Sequence, residues 1–99
     1  KKVSVIKIDV EGHEYDVVKG SFKTIKNYLP IVIFEINSCE EGKKSFYNIK
    51  NFLNEFNYNL FYINAENTII ELKEYEQLPY PFNRNIIAVS KNSVHYKYI

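Results

Sequence analysis

The stretch Ile6-Lys7-Ile8-Asp9-Val10-Glu11-Gly12-His13-Glu14 decides how the chain is read. A β-branched apolar run ends in an acid, and a second acid and a glycine follow at once. From Glu14 the apolar period changes: Tyr15, Val18, Phe22, Ile25 and Leu29 recur at intervals of three and four, which makes one face of a helix. A strand, a tight turn and a helix are therefore predicted in succession, with ionisable groups gathered at the turn. Val3 to Val10 is the strand, apolar enough to suit a central strand of a parallel sheet covered on both faces. Gly20-Ser21 lies inside the helix pattern. It is either tolerated there at a cost of about 1 kcal/mol, or it ends one short helix and caps the next. Pro30 marks the stop.

Ile31 to Ile36 (Ile-Val-Ile-Phe-Glu-Ile) reads as a second strand, and Asn37 to Gly42 as a polar loop. Phe46, Ile49, Leu53 and Phe56 repeat with helical spacing and predict a second amphipathic helix, closed by Asn57 and Asn59. Leu60 to Ile63 is a third strand. Asn64-Ala65-Glu66-Asn67 turns into a shorter extended piece at Thr68 to Leu72, and residues 73–84, with Pro79 and Pro81, read as a loop. Asn85 to Ser90 is the last strand. Strands alternating with helices predict an α/β sheet. The first two crossovers are expected to be right-handed and to give parallel neighbours with helices on the faces of the sheet. No helix precedes the last strand, so an antiparallel insertion is expected for it.

The 99 residues suffice for one domain with one core. With 45% apolar and 16% aromatic residues, a packed core is within reach and disorder is excluded. A net charge of +1 gives no basic field for nucleic acid. The lone Cys39 rules out an intramolecular disulfide, and with no partner cysteine nearby it argues against zinc. No apolar run approaches the ~20 residues needed to cross a membrane. The chain contains no methionine and starts in a strand-like segment, so it is expected to be a piece of a longer protein.

Ligands of open α/β sheets bind beyond the carboxyl ends of the strands. The first strand delivers Asp9, Glu11 and His13 to that edge, and the second delivers Glu35, Asn37, Ser38 and Cys39. Neighbouring strands lie about 4.8 Å apart, so the two loops are expected to form one polar rim. Plainer roles stand beside the functional ones. Glu14 and Asp16 suit the first turn of a helix, where carboxylates favour the positive end of the macrodipole. Glu11-Gly12 suits a turn, and His13 suits a helix start as well as a proton carrier. Asp9 is harder to set aside, because an acid ending an apolar strand must be hydrogen-bonded, paired or exposed to a site. Glu35 is in the same position on the second strand.

Residues 3–36 resemble the FkbM-type methyltransferases. The resemblance rests on Lys7-Ile8-Asp9-Val10-Glu11-Gly12, on the acid Glu14 two places after the glycine, on Gly20, and on the proline-led strand Pro30-Ile31-Val32-Ile33-Phe34-Glu35 that ends in glutamate. It implies a dependence on S-adenosylmethionine and a Rossmann-like, seven-stranded sheet whose last strand inserts antiparallel between the fifth and sixth. This chain then corresponds to a partial sheet, strands four to seven, in a single domain that is the C-terminal portion of a methyltransferase domain. The first three strands, with the glycine-rich loop and the ribose-binding acid that hold most of the cofactor, have no counterpart in it. The isolated chain is accordingly expected to be inactive.

Members of the family methylate hydroxyl groups of sugars or secondary metabolites, so a small-molecule acceptor is implied. Methyl transfer to a hydroxyl needs alignment and removal of a proton. On this resemblance Asp9 lies near the methyl donor and acceptor, also touching the cofactor, Glu11 orients a reacting group and His13 is the base. Glu35 and Asn37 then bind the acceptor.

Two rival readings remain. Asp9, Glu11 and Glu35 could hold magnesium or manganese in a phosphoesterase, or the chain could be a non-catalytic α/β interaction module. If strand Val3 to Val10 lacks a neighbour on one side, its exposed edge invites a second copy of the chain, giving a homo-oligomer. The expected location is cytoplasmic.

Overall fold

The computed structural model describes residues 5–8 and 14–98. Two apolar segments organise it. β2 (Ile31–Asn37) alternates half-buried and buried residues, so that Val32, Phe34 and Ile36 enter the core from one side. α3 (Glu40–Asn54) lays Phe46, Ile49 and Leu53 onto that same side. Around this pair the order is β1 (Val5–Ile8), α1 (Glu14–Gly20), α2 (Phe22–Tyr28), then, after α3, β3 (Tyr58–Ile63), β4 (Ile69–Glu71) and β5 (Asn83–Ser90). Short 3-10 turns occupy Tyr75–Gln77 and Val94–Tyr98. The molecule is a mixed α/β fold with a five-stranded sheet in the order β1-β2-β5-β3-β4.

β1 pairs parallel with β2, while β5 runs antiparallel to both β2 and β3, and β4 folds back antiparallel on β3. The last long strand is thus inserted antiparallel, as expected. The insertion corrects one expectation: β2 and β3 run in the same direction but are separated by β5 and are not neighbours. A second correction concerns the cover of β1: its composition suggested a central strand covered on both faces, whereas the expected lack of a neighbour made it an edge, and the edge is what is found. It is an edge strand of this sheet, with Val5 52% exposed and Lys7 in solvent, while Ile8 alone of its four residues is buried.

A third correction concerns the helices. They were expected on both faces, but α1, α2 and α3 form one layer: α1 packs on α3, and Phe22 of α2 meets Phe52 and Phe56 edge-on at 6.3 and 5.7 Å. Topology dictates this. The steps β1 to β2 and β2 to β3 move the same way across the sheet, so crossovers of one hand stay on one side. The other face carries Val5, Ile31, Ile33, Ile87, Ile63 and Ile69 and is largely open. Among the described residues the C-terminal turn Val94–Tyr98 packs against β5 there, with Asn59 Nδ2 donating to Tyr96 Oη and Val89 buried.

Local chemistry explains the boundaries. At Gly20-Ser21 the helix breaks in two, the second of the two alternatives: the Ser21 N–H reaches both Val17 O and Val18 O, and its hydroxyl donates back to Val17 O. α2 stops at Leu29, whose φ of 46° is left-handed, just before Pro30. The stretch expected to be a polar loop from Asn37 to Gly42 is shorter than that, because Cys39 caps α3: its Sγ accepts from Gly42 N at 3.2 Å and the helix begins at Glu40. Asn57, with φ 62°, turns the chain into β3, which begins at Tyr58. Asn64 closes the β3–β4 hairpin by accepting from Glu66 N and Thr68 N. The segment expected to be loop up to residue 84 gives up its end to β5, which starts at Asn83. Among the described residues no helix is long and apolar enough to cross a membrane.

Tyr58 fastens the amino ends of β2 and β3. Only 4% exposed, it donates its hydroxyl to the buried Pro30 carbonyl at 2.5 Å, and burial pushes its phenol well above the ordinary value. An unfolded tyrosine ionises near pH ~10, whereas the folded one keeps its proton. This contribution is therefore present below pH ~10 and is lost as the pH rises through that value, by about 1.4 kcal/mol per pH unit. Tyr58→Phe is expected to cost about 1–3 kcal/mol at neutral pH, because the Pro30 carbonyl loses its donor, and to show a shallower alkaline decline. Urea unfolding of both forms at neutral and alkaline pH checks it; parallel pH curves would refute the role given to the phenol.

Candidate functional site

The carboxyl end of β2 and the start of β5 form a continuous rim. In the antiparallel register Glu35 faces Asn85 and Asn37 faces Asn83. Residues directly opposed in a ladder point to the same face, so these four side chains share the open face of the sheet. Glu35 and Asn37 are half-buried, and Asn83 and Asn85 exposed. The ladder continues one step past the strand: Ser38 N donates to Phe82 O and Phe82 N to Ser38 Oγ, both at 3.0 Å.

Tyr75 holds the rim from the helix side. Its hydroxyl donates to Asn37 O at 2.7 Å, with Cys39 O at 3.3 Å, and its ring stacks edge-on against Phe82 at 5.2 Å and obliquely against Phe46 at 5.7 Å. Burial raises the affinity of this phenol for its proton. The turn that carries Tyr75 is fixed by a capping box between Glu74 and Gln77. It is tied to α3 by Tyr47, whose hydroxyl donates to Glu74 Oε2 at 3.0 Å and accepts from Tyr75 N. Lys43 and Glu76 meet at 2.6 Å, and the contact raises the lysine pKa and lowers that of the glutamate. Both are exposed, so this pair adds little to stability.

Two depressions flank the rim. One of about 370 Å³, on the helix side, is lined by Ser38, Cys39, Glu40, Lys43, Tyr75 and Tyr80. The other, about 480 Å³, opens beside Asn83 and Asn85 and is walled by Ile63, Phe82 and Ile87. Arg84 closes its far side, its Nη1 donating to Ile63 O at 2.9 Å and its guanidinium lying 5.3 Å over the Tyr62 ring.

Of the residues singled out from the sequence, Glu35 and Asn37 are brought together on one face, two positions apart on β2. Ser38 and Cys39 turn over the rim instead, Ser38 into a backbone-like bond and Cys39 into the cap of α3. Asp9, Glu11 and His13 lie outside the described residues, so the polar rim expected from both loops is described on its β2 side only. Among the described residues no group of three His, Cys, Asp or Glu side chains is placed to hold a metal ion. The residues the sequence reading missed are Asn83, Asn85 and Tyr75. The alternation Asn83-Arg84-Asn85 is a period-two signal that Pro79 and Pro81 overshadowed, whereas Tyr75 carries no local mark of its contact with Asn37.

The described rim can accept and donate hydrogen bonds through a carboxylate, three amides and backbone groups. Comparison with known families adds one finding: the model of the methyltransferase FkbM domain matches residues 1–60. The match runs from before β1 to the third residue of β3, and so includes residues 9–13 and the carboxyl end of β2. No curated protein and no solved structure matches the chain.

Proposed function

We infer that this chain, which belongs to the FkbM methyltransferase family, is the acceptor-side part of a methyltransferase that modifies a hydroxyl group of a small molecule. The observation that carries the reading is the coincidence of the family match with the rim. The matched residues include Glu35 and Asn37, at the carboxyl end of β2, and in the sequence after β1 the acids Asp9 and Glu11 and the imidazole of His13. On this reading β1, β2, β3 and β5 correspond to the fourth, fifth, sixth and seventh strands of a Rossmann-like sheet. The antiparallel seat of β5 between β2 and β3 supports that numbering.

The described residues suit an acceptor better than a cofactor. They offer a carboxylate and amides, which hydrogen-bond hydroxyls, and the one described glycine at the rim, Gly42, is packed against Asn37 O instead of lining an open cradle. Most of the S-adenosylmethionine cradle is therefore assigned to sequence N-terminal to this chain, and Asp9 is the residue here that meets the cofactor. When bound, the cofactor supplies an electrophilic methyl group. The chain's own residues then position the acceptor. Glu35 and Asn37 bind it, Glu11 orients the reacting hydroxyl and His13 takes its proton. A base in that place contributes typically about 10²–10⁴-fold to the rate.

The test needs a protein containing the whole domain. There Asp9→Asn is expected to lower methyl transfer from labelled S-adenosylmethionine by at least about 100-fold, the loss that misplacement of reacting groups brings. The 99-residue chain alone is expected to transfer none. An Asp9→Asn enzyme that works at the unchanged rate would sink the assignment.

A further inference from the structure

The β5 side of the rim has no role in what precedes, and its composition is unusual. Asparagine is depleted in strands, yet three share one face here: Asn37 ends β2, Asn83 begins β5 and Asn85 lies inside it. With Glu35 they form two registered cross-strand pairs, Glu35 with Asn85 and Asn37 with Asn83. Opposed β-carbons in such pairs lie about 5 Å apart, and alternate residues along a strand about 7 Å apart. The four groups therefore mark the corners of a rectangle of roughly those dimensions. None of the four side chains makes a hydrogen bond or ion pair among the described residues. Asn83 and Asn85 are exposed and Glu35 and Asn37 half-buried, so all four are left open to a ligand on the same face.

The surroundings narrow the ligand. Each amide offers both a donor and an acceptor, and the carboxylate two acceptors, a set that matches adjacent hydroxyls. Beside the rectangle the 480 Å³ depression presents Ile63, Phe82 and Ile87, an apolar wall for C–H groups. A ligand with hydroxyls on its edge and C–H groups on its face suits both surfaces. An anionic one does not: Glu35 stands within the rectangle, and the guanidinium of Arg84 is occupied by Ile63 O and the Tyr62 ring.

We propose that Asn83 and Asn85 join Glu35 and Asn37 in a hydroxyl-reading platform that binds an uncharged polyhydroxylated ring, the part of the acceptor that carries or adjoins the hydroxyl to be methylated. The proposal deepens the methyltransferase reading and rests on it for the word acceptor, but the binding itself is measurable without methyl transfer.

The experiment is a titration of the ¹⁵N-labelled 99-residue chain with uncharged methyl hexopyranosides and, separately, with a hexose 6-phosphate, following the side-chain amide signals of Asn37, Asn83 and Asn85. The glycosides are expected to shift all three signals saturably, and the phosphate ester to bind more weakly. Asn83→Ala and Asn85→Ala are each expected to weaken glycoside binding by about tenfold, the equivalent of one hydrogen bond to a partner left unpaired. Their backbone spectra serve as the check on folding, and Asn85→Ser, which keeps a donor and an acceptor, is expected to recover part of the affinity. Glu35→Gln is expected to narrow the gap between glycoside and phosphate. Glycosides that move none of the three amides, that move only signals around Cys39 and Tyr80, or that bind Asn83→Ala and Asn85→Ala unchanged would overturn the platform. Any of those results leaves the Asp9→Asn test untouched. Conversely, saturable binding here together with an unimpaired Asp9→Asn enzyme would uphold the platform and remove its assignment to the acceptor.

Discussion

Gly42→Ala is expected to destabilise the chain by about 3 kcal/mol, the upper part of the range for overpacking a close-packed site. The reason is a backbone contact in the first turn of α3. A β-carbon at position 42 would lie 2.0 Å from Asn37 O and 3.0 Å from the Asn37 carbonyl carbon. Neither atom belongs to a flexible side chain, so relief requires that the β2–α3 corner move. Alanine favours helix over glycine by about 1 kcal/mol, which is too little to offset the clash. Asn37 O is also the acceptor for the Tyr75 hydroxyl, so the displacement loosens the rim as well as the helix. In a domain of this size the loss corresponds to a fall in melting temperature of roughly 12–24 °C. Thermal unfolding followed by circular dichroism measures it. A melting temperature equal to or above that of the parent chain would show that the corner yields freely.

Phe46→Ala is expected to cost about 3–5 kcal/mol. Phe46 is fully buried, and its ring meets Tyr47 at 5.0 Å and Tyr75 at 5.7 Å. Its truncation opens a cavity between α3 and the turn that carries Tyr75. The comparison that gives the number meaning is Tyr75→Phe, which keeps the ring and deletes only the hydroxyl bond to Asn37 O, for about 1–2 kcal/mol. Urea unfolding of the two variants side by side separates packing from anchoring. If Phe46→Ala costs no more than Tyr75→Phe, the ring cluster is not what holds the rim to the helix layer.

Much of this fold was legible in the sequence where a period was strong. Ile31 to Ile36 and the spacing Phe46, Ile49, Leu53 specify a buried strand and the helix that covers it, because each buries a continuous apolar face. The break at Ser21 was not decidable, since the apolar spacing on either side fits one helix or two. Only the bonds from Ser21 to Val17 and Val18 distinguish them. Composition alone pointed to a central place for β1, because an apolar run in an edge strand is indistinguishable from one in a central strand; its edge position followed only from the expected lack of a neighbour. The side on which the helices lie was implicit in the handedness of two crossovers taken in the same direction. Glu35 and Asn37 were legible as rim residues from their position at a strand end. Tyr75 was not, because its contact with Asn37 spans 38 residues and leaves no local pattern.

The single layer of helices has a practical corollary for handling the molecule. In β2 the residues that hold the fold, Val32, Phe34 and Ile36, alternate with Ile31 and Ile33 on the open face. Val5, Ile63 and Ile69 extend that face across the sheet. The determinants of cohesion and of surface stickiness are therefore interleaved along the strands yet chemically separate. An engineer can recolour one side of the sheet with polar residues while leaving the other intact, and the alternation of the strand tells which positions belong to which side.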